Sequence, residues 1–405
     1  MQKHQYVYKK EVEVTMLSMV DDLLAISNCG IDSVEANAFI NAKFESKTLT
    51  LNSSKCHKLH IGPKQKTCPQ LHAHDEDMEL VVQDKYLGDY ITTDGKHDKT
   101  ISARCSAGTG QTSALMTILK EVSLGEFYFP MATLLRSTLV MSSMLLNSEA
   151  WVNLSMKNIR ELQSTDQMLL WRILETPTST GIPALYLEVG CVPLRFMIMG
   201  RRVMFLHYIL NCESNETISK VFWAQEKNPI PNDWSEMVKE DLNTLELKRY
   251  SLDELKSLKK IKLKEMVKVA CKKIAHKYLL KEIEDKDMSK LKNNNYEKFE
   301  MQPYLKSNKI SLRKKKILFK ARTRMLNVKW NFGDKSPCPV CCLEGDNQEH
   351  LLGCIMIKLK CNSIFENKNN CTYADIFSTD IEKQNNVAEL LLEAMRTREL
   401  LLNNK

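Results

Sequence analysis

The pattern of apolar and polar residues near the start of the chain predicts a β-hairpin. An apolar run at residues 12–20 is interrupted by Asp21 and Asp22 and resumes at residues 23–26. Two short apolar runs separated by charged residues are typical of two strands that meet at a turn. We therefore expect the two carboxylates at the tip of this hairpin.

The rest of the first 95 residues combines helical and strand patterns. A helix is predicted over Val34–Glu45. Shorter apolar runs bounded by polar residues predict strand elements at 49–51, 59–61 and 86–91. The last of these is a hairpin candidate whose turn is expected at 93–95.

From about residue 98 the pattern becomes helical. Between residues 98 and 210, apolar residues recur at spacings that place them on one helical face: Ile159, Leu162, Leu169, Leu170 and Ile173. Residues 251–300 are rich in lysine with interleaved leucine and isoleucine, which predicts amphipathic helices. A last helix is predicted near 388–402, and Thr379 and Glu382 have capping-box spacing before it.

These patterns together predict an α+β protein in four segments. The segments are a mixed region at 1–95, a helical region at 96–210, a helical connector at 211–305, and a C-terminal region at 306–405 that holds a basic helix, a Cys/His cluster and a final helix.

Composition favours a helix-rich globular protein. The chain has 405 residues, 43% hydrophobic and 27% charged, which excludes collagen-like, low-complexity and wholly disordered proteins. Only 13 residues are glycine, which disfavours glycine-rich Rossmann and barrel folds. The 13 cysteines follow an N-terminus without the apolar core of a signal peptide, so we expect reduced thiols in an intracellular protein of the nucleus or cytoplasm. The most apolar stretch, 131–151, contains Arg136 and Glu149, so no membrane partner is expected.

Asp21 and Asp22 are candidate metal ligands. Two carboxylates between apolar strands concentrate negative charge, and Mg²⁺ or Mn²⁺ prefers such oxygen ligands. Two-metal phosphoryl transfer uses paired carboxylates in this way. On the dipeptide alone, a solvated hairpin turn is the other interpretation, because Asp is common in turns.

Short motifs around these aspartates resemble those of reverse transcriptases. Met19–Asp22, followed by Leu-Leu-Ala-Ile-Ser, is similar to the aromatic-or-Met, x, Asp, Asp box of that family. Asn52–Cys56 resembles the lysine-bearing motif after the box, and Lys85–Gly88 resembles the Lys-Tyr-Leu-Gly hairpin at the junction of palm and thumb. Their order and spacing are similar to the polymerases of non-LTR (LINE-type) retrotransposons, and the similarity extends through 185–188 and 193–196.

The resemblance implies a partial polymerase palm in residues 1–95 and a thumb in residues 96–210. Asp21 and Asp22 would be metal-binding carboxylates of the palm, and Lys55 the general acid that protonates the pyrophosphate leaving group. A surface lysine is the other interpretation of Lys55. The implied activity is RNA-directed DNA synthesis with Mg²⁺ or Mn²⁺, on an RNA template and a DNA primer or target, whose duplex the thumb would hold through its backbone.

The chain departs from the family in one respect, because it offers no counterpart of a further metal-binding aspartate that a complete palm has. A complete palm has a further metal-binding aspartate on a separate strand, together with fingers, and only 20 residues precede Asp21. We therefore expect the chain to be the C-terminal part of such a polymerase, and to be inactive in polymerisation by itself.

The spacing Cys338-x2-Cys341-x8-His350-x3-Cys354 predicts a zinc site. Two cysteines around Pro-Val can form a chelating loop, and the last two ligands, four residues apart, share one helical face. Cys342 is an alternative to Cys341, and further cysteines follow at 361 and 371. The other interpretation is buried free cysteines with a surface histidine. The cluster resembles the one that follows the polymerase in LINE elements.

A second set with metal-ligand spacing is expected to be coincidental, because it overlaps the region between the lysine motif and the Lys-Tyr-Leu-Gly hairpin. It consists of Cys56, His60, Cys68 and His72.

A strongly basic segment at 306–329 contains ten cations and no Asp or Glu. Such a run would repel itself unless a polyanion compensates, which favours contact with a nucleic-acid backbone. The candidate contact residues are Lys309, Arg313, Lys314, Lys315, Lys316, Lys320, Arg322 and Arg324. A solvated face, or nuclear-import recognition of 313–316, is the other interpretation.

The leading hypothesis is therefore a fragment related to retrotransposon reverse transcriptases. The alternative is a non-catalytic nucleic-acid-binding zinc protein that retains the thumb, the basic helix and the zinc knuckle.

Overall fold

The structure, a computed structural model, describes most of the chain. The described residues are 6–8, 12–14, 16–19, 22–27, 30–62, 68–121, 125–286, 288, 291, 294, 296–368 and 371–403. Helices predominate and the strands are few and short, so the expected α+β class is confirmed.

The strands lie in the N-terminal segment. They are β1 (Tyr6–Tyr8), β2 (Val12–Val14), β3 (Met16–Met19), β4 (Asp22–Ala25), β5 (His57–Lys58), β6 (His72–Ala73), β7 (Glu76–Asp77), β8 (Glu79–Leu80), β9 (Gln83–Tyr86) and β10 (Asp89–Thr92). The antiparallel pairs are β1 with β2, β3 with β4, β6 with β7 and β9 with β10, whereas β5 and β8 are parallel. Each pair is a separate two-stranded ladder within the described part of the chain.

The helices account for most of the remaining chain. They are α1 (Gly30–Glu45), α2 (Asp98–Glu121), α3 (Tyr128–Leu135), α4 (Met141–Met144), α5 (Met156–Leu174), α6 (Ile182–Val189), α7 (Leu194–Asn211), α8 (Thr217–Lys227), α9 (Trp234–Thr244), α10 (Leu252–Ser257), α11 (Lys260–Asp285), α12 (Pro303–Lys306), α13 (Leu312–Arg322), α14 (Gln348–Gly353), α15 (Ile355–Lys360), α16 (Asn362–Asn367) and α17 (Ile381–Asn403). Single 3₁₀ turns occur at Ser53–Lys55, Gly125–Phe127, Lys329–Phe332 and Tyr373–Phe377, and Arg136–Val140 is π-helical.

The predicted hairpin around the aspartate pair is confirmed. β3 and β4 are antiparallel, and Met19 lies opposite Asp22. The hairpin predicted at 86–91 is also present, but its turn falls at Leu87 and Gly88, earlier than expected. Both residues have positive φ, 47° and 88°, which is the conformation that a tight hairpin turn requires.

Two strand predictions and one cap prediction were wrong. No strand forms at 49–51, where the Leu51 N–H donates to His74 Nε2 at 3.0 Å instead of to a strand. The strand predicted at 59–61 lies slightly earlier, at β5. At the start of α17 the Glu382 N–H donates to Asp380 Oδ1 at 2.8 Å, so Asp380 caps the helix in place of Thr379. The cap is displaced by one residue because Thr379 and Asp380 are neighbours whose side chains can both accept from a backbone N–H.

The chain divides into two compact units, which are interleaved in sequence. The first comprises residues 1–106, 145–162 and 198–270, and the second comprises residues 107–144, 163–197 and 271–405.

The first unit has a helical core and a sparsely buried N-terminal region. Its core side chains include Ile101, Leu145, Trp151, Leu206, Leu242 and Leu263. Arg202 pairs with Asp241 inside this core, with Nη2 and Oδ1 3.0 Å apart. In contrast, Ala73 is the only buried residue among those of 16–99 whose side chains the structure describes.

The second unit is built around the carboxylate of Glu188, which is fully buried on α6. Arg322 Nε lies 3.0 Å from Oε1 and 3.3 Å from Oε2, while the hydroxyls of Tyr296 and Tyr304 donate to the two oxygens at 2.9 and 2.8 Å. Arg322 also donates to the Ile376 carbonyl at 2.9 Å. A buried charge requires such partners, because desolvation without them is very costly.

A second buried ion pair lies in the same unit. Arg136 contacts Asp166 through two hydrogen bonds of 2.7 and 2.6 Å, and the Tyr186 hydroxyl donates to Asp166 Oδ2 at 2.9 Å. Burial and the negative charge of Asp166 raise the pKa of Tyr186 well above its usual value. The hydroxyl therefore remains a donor to the carboxylate at all physiological pH values.

Removing Arg322 is expected to destabilise the protein strongly. Arg322→Met would leave the Glu188 carboxylate buried without its counterion, which costs about 3–5 kcal/mol of unfolding free energy. Lys306→Met is the matched control, because Lys306 pairs with Glu300 at the surface, where such a pair contributes about 0–1 kcal/mol. Urea denaturation measures both, and equal losses in the two variants would contradict this account of the core.

Candidate metal centre

Residues 337–348, named the metal loop, comprise a tight loop and the first residue of helix α14. An isolated β-bridge joins Pro337 to Gly345, and the Cys338 N–H donates to the Glu344 carbonyl at 2.6 Å. Asn347 caps α14, because its side chain accepts from the His350 N–H at 2.7 Å. The loop and the helix thereby bring two pairs of potential ligands to one place.

The four predicted zinc ligands converge. The ligand atoms of Cys338, Cys341, His350 and Cys354 all lie within 4.8 Å of one another, and Cys341 Sγ is 3.3 Å from His350 Nε2. Tetrahedral zinc with Zn–S of ~2.3 Å and Zn–N of ~2.0 Å requires ligand atoms roughly 3.5–3.8 Å apart. The group can therefore bind zinc. All of these residues except Cys341 are buried, which is typical of a closed structural site rather than an open catalytic one.

A carboxylate orients the histidine. Glu344 Oε2 lies 2.9 Å from His350 Nδ1, so the ring can donate from Nδ1 and direct the unprotonated Nε2 toward the sulfur atoms. Metal-binding histidines are commonly fixed by such a carboxylate.

The protonation of the sulfur atoms also fits a metal cation. Burial raises the pKa of the Cys341 thiol, but opposing contacts, first among them hydrogen bonds from the backbone N–H groups of Leu343 and Glu344, outweigh it and lower the pKa to about 7. Burial and the neighbouring sulfur of Cys338 raise the pKa of Cys354 to about 11. Zinc, when bound, would hold the cysteines as thiolates and cross-link the loop to α14.

Two residues between the ligands tie the metal loop to the rest of the second unit. Asp346 accepts from the Lys329 N–H at 2.8 Å and from Arg398 Nη2 of α17 at 2.7 Å. Gln348 is fully buried, and its Nε2 donates to the Ala321 carbonyl at the end of α13 at 3.0 Å. The metal loop is therefore fastened to both the basic helix and the C-terminal helix.

The alternative ligands do not join the group. Cys342 is exposed and has a φ of 61°, directly after Cys341. Cys361 is buried elsewhere, with its sulfur 2.8 Å from Thr397 Oγ1. Of the second cysteine and histidine set, His72 pairs with Asp77 at 2.7 Å.

The predicted palm residues are only partly described. Asp21 lies outside the described residues. Asp22 is exposed at the first position of β4, and Lys55 is exposed at the end of a 3₁₀ turn. Neither Asp22 nor Lys55 has an ion pair with another described residue.

Several cations of the basic segment are paired with carboxylates of the protein. Lys314 Nζ is 2.9 Å from Glu389 Oε2, and Lys316 Nζ is 2.7 Å from Glu175 Oε1. The mutual repulsion expected for this segment is therefore relieved in part within the fold.

Three other predicted contact residues are partly or fully inaccessible. Lys315 has no exposed surface, and Arg322 is buried against Glu188. Arg324 is half-buried and pairs with Glu349. These pairings join residues far apart in sequence, so the local charge run did not indicate them.

Lys309, Arg313 and Lys320 remain the accessible cations of the predicted set. Lys309 and Arg313 are exposed and Lys320 is half-buried. Their side chains form no ion pair with another described residue. They are thus the members of the set that can meet a nucleic-acid backbone.

Sequence reasoning missed the residues that support the site and the core. Glu344 and Asp346 lie between the zinc ligands, so their position in the loop was an available signal. Glu188 is the one charged residue in the apolar stretch of α6 from Ile182 to Val189, and a lone carboxylate in such a stretch indicates a buried partner.

Comparisons with known proteins assign no family to the chain. No protein-family model matches it, and no curated protein is significantly similar to it. Within the described residues, no single helix is both long and apolar enough to cross a bilayer; only α6 and α7 taken together meet that test.

We expect the purified full chain to contain one zinc ion. Cys354→Ala or Cys341→Ala should abolish zinc binding and lower the melting temperature by roughly 5–10 °C, because the loop loses its cross-link. Cys342→Ala should retain the metal, since its sulfur lies outside the group. Elemental analysis and thermal denaturation with and without a chelator measure these effects. An equal effect of the chelator on Cys354→Ala and on the parent would refute the site.

Proposed function

We propose that the chain is the C-terminal part of a non-LTR retrotransposon reverse transcriptase, with part of the palm, a thumb and a zinc-stabilised C-terminal module. By itself it binds nucleic acid and does not polymerise. The observation that carries this proposal is the converging Cys₃His group, which lies downstream of the aspartate hairpin in the order that the sequence resemblance requires.

The hairpin geometry supports a palm role for the aspartate pair. Met19, the last residue of β3, lies opposite Asp22, the first residue of β4, so Asp22 stands at the end of the β3–β4 ladder. In this proposal Asp21 and Asp22 bind Mg²⁺ or Mn²⁺, and Lys55 protonates the leaving group.

The β9–β10 hairpin supports the assignment of the Lys-Tyr-Leu-Gly motif. Arg104 Nη2 donates to the Gly88 carbonyl and to Asp89 Oδ1, each at 2.8 Å. Gly88 has a φ of 88°, which residues with a side chain rarely adopt, and a Cβ added there would lie 3.1 Å from Arg104 Nη2. The motif thus packs its turn against the first helix of the proposed thumb.

Polymerisation requires groups that the described residues do not bring to Asp22. Two-metal phosphoryl transfer needs several carboxylates around the ions. Asp22 belongs to no group of three or more converging ligands in the described part of the chain, and β3 and β4 pair there only with each other. We infer that fingers and a further palm strand must be supplied for catalysis.

Nucleic-acid binding rests on the accessible cations of the second unit. Lys309, Arg313 and Lys320 are free to contact phosphates, and the RNA template with its DNA primer or target is the proposed ligand. The proposed location is the nucleus or the cytoplasm.

The chain alone is expected to show no template-dependent DNA synthesis. The assay is extension of a DNA primer on an RNA template with Mg²⁺ or Mn²⁺. Synthesis by the wild type that Asp22→Ala abolishes would show that the chain holds a complete catalytic centre and would contradict this part of the proposal.

Reversing the accessible charges is expected to weaken nucleic-acid binding. In the combined variant Lys309→Glu, Arg313→Glu and Lys320→Glu, affinity should depend less steeply on salt. The negative slope of log affinity against log salt should shrink in magnitude by about 2–3, because each lost phosphate contact changes it by ~0.7–0.9. A variant with the same charge change at the exposed Lys262, Lys264 and Lys268 is the matched control. The proposed surface is wrong if the first variant binds like the wild type, or if both variants lose the same affinity.

A further inference from the structure

The 3₁₀ turn Lys329–Phe332 presents two aromatic rings to solvent. Trp330 is 41% exposed and Phe332 is 53% exposed. Neither ring stacks on another aromatic ring of the described residues. Two large rings exposed within one four-residue turn form an apolar patch whose burial against a ligand would be favourable.

The metal loop holds this turn rigidly. The Trp330 N–H donates to the Asp346 carbonyl at 3.1 Å, and Asn331 Nδ2 donates to Gln348 Oε1 at 2.9 Å. The indole ring lies directly on Gly345, where an added Cβ would be 2.3 Å from Cζ2. One part of the Trp330 surface is therefore fixed against the loop while the remainder faces solvent, so a ligand meets a ring that is already oriented.

The charge around the turn is complementary to a polyanion. Asp334 is the only carboxylate in residues 306–336, and its side chain is 3.8 Å from Lys329. Lys335 is exposed and has no ion pair with another described residue. Phe332 and Lys329 also line a shallow groove with Pro339 and the end of α17.

We propose that Trp330 and Phe332 stack on the bases of a single-stranded nucleic acid whose phosphates contact Lys329 and Lys335. The inference rests on the proposed function and specifies the form of its ligand. Bases in a duplex already stack on one another, whereas an unpaired base offers a free face to an aromatic ring. Stacking rings beside cations are a common means of binding single strands without sequence preference.

The test compares the full chain with Trp330→Leu and Phe332→Leu on fluorescent oligo(dT) or oligo(U) of about 20 nucleotides and on a duplex of equal length. Each variant should bind the single strand about 5- to 100-fold more weakly, with an unchanged salt slope, because no phosphate contact is lost. Duplex affinity should not change. Trp330→Phe should restore most of the binding. Trp223→Leu is the matched control, because Trp223 is 44% exposed and lies outside the basic segment.

A gain of affinity provides a second, independent measurement. Asp334→Asn removes the carboxylate that pairs with the Lys329 ammonium group, so both single strands and duplexes should bind more tightly at low salt. Melting curves of the zinc-loaded variants establish that each one is folded.

The outcomes separate this inference from the proposed function. If the wild type binds duplex and single strand but the leucine variants bind single strands normally, stacking is refuted and the proposed function stands. If the leucine variants lose duplex and single-strand binding equally, stacking is likewise refuted. If the wild type binds neither nucleic acid, the proposed function itself fails, and an apolar protein partner for the rings replaces it.

Discussion

The carboxylate of Glu188 determines how the second unit can pack. It lies on a helix whose neighbouring side chains are buried, so it cannot reach water, and its charge must be balanced inside. Arg322 supplies the balance, and the hydroxyls of Tyr296 and Tyr304 occupy the remaining acceptor sites. These contacts fix α13 next to α6, and the end of α13 is the point to which Gln348 of the metal loop is bonded. The position of the Cys/His group thus depends on the buried charge of Glu188, which is not itself a metal ligand.

Polar residues position the metal site in two ways, through the local spacing of the ligands and through buried hydrogen bonds to distant parts of the chain. The four ligands converge because of local spacing, since a short loop and one turn of helix are enough to bring them together. In contrast, Asp346 connects the loop to Lys329 and to Arg398, which is 52 residues away. Zinc can cross-link only its own segment, so the buried hydrogen bonds must position that segment on the unit.

Sequence reasoning succeeded where the relevant interactions are local. The ligand spacing, the hairpin at Asp22 and the apolar face of α5 depend on residues within a few positions of each other, and all agree with the structure. It did not indicate the ion pairs of the basic segment, because the partners of Lys314 and Lys316 are 75 and 141 residues away. A charge run shows how many cations require compensation, but not whether the compensating anion belongs to the same chain. The error at the cap of α17 has a different origin, because the adjacent side chains of Thr379 and Asp380 could both accept from the same backbone N–H. At 49–51 the acceptor is again remote, since His74 is 23 residues from Leu51.

The pairing of Glu188 with Arg322 spans 134 residues, and this has a consequence for biosynthesis. At a translation rate of about 5–20 residues per second, the apolar helix α6 leaves the ribosome about 7–27 seconds before the guanidinium that neutralises its carboxylate. During that interval burial of α6 is unfavourable, because an unpaired carboxylate is costly to remove from water. The residue that anchors the finished unit therefore favours packing of α6 only after the basic helix has been synthesised.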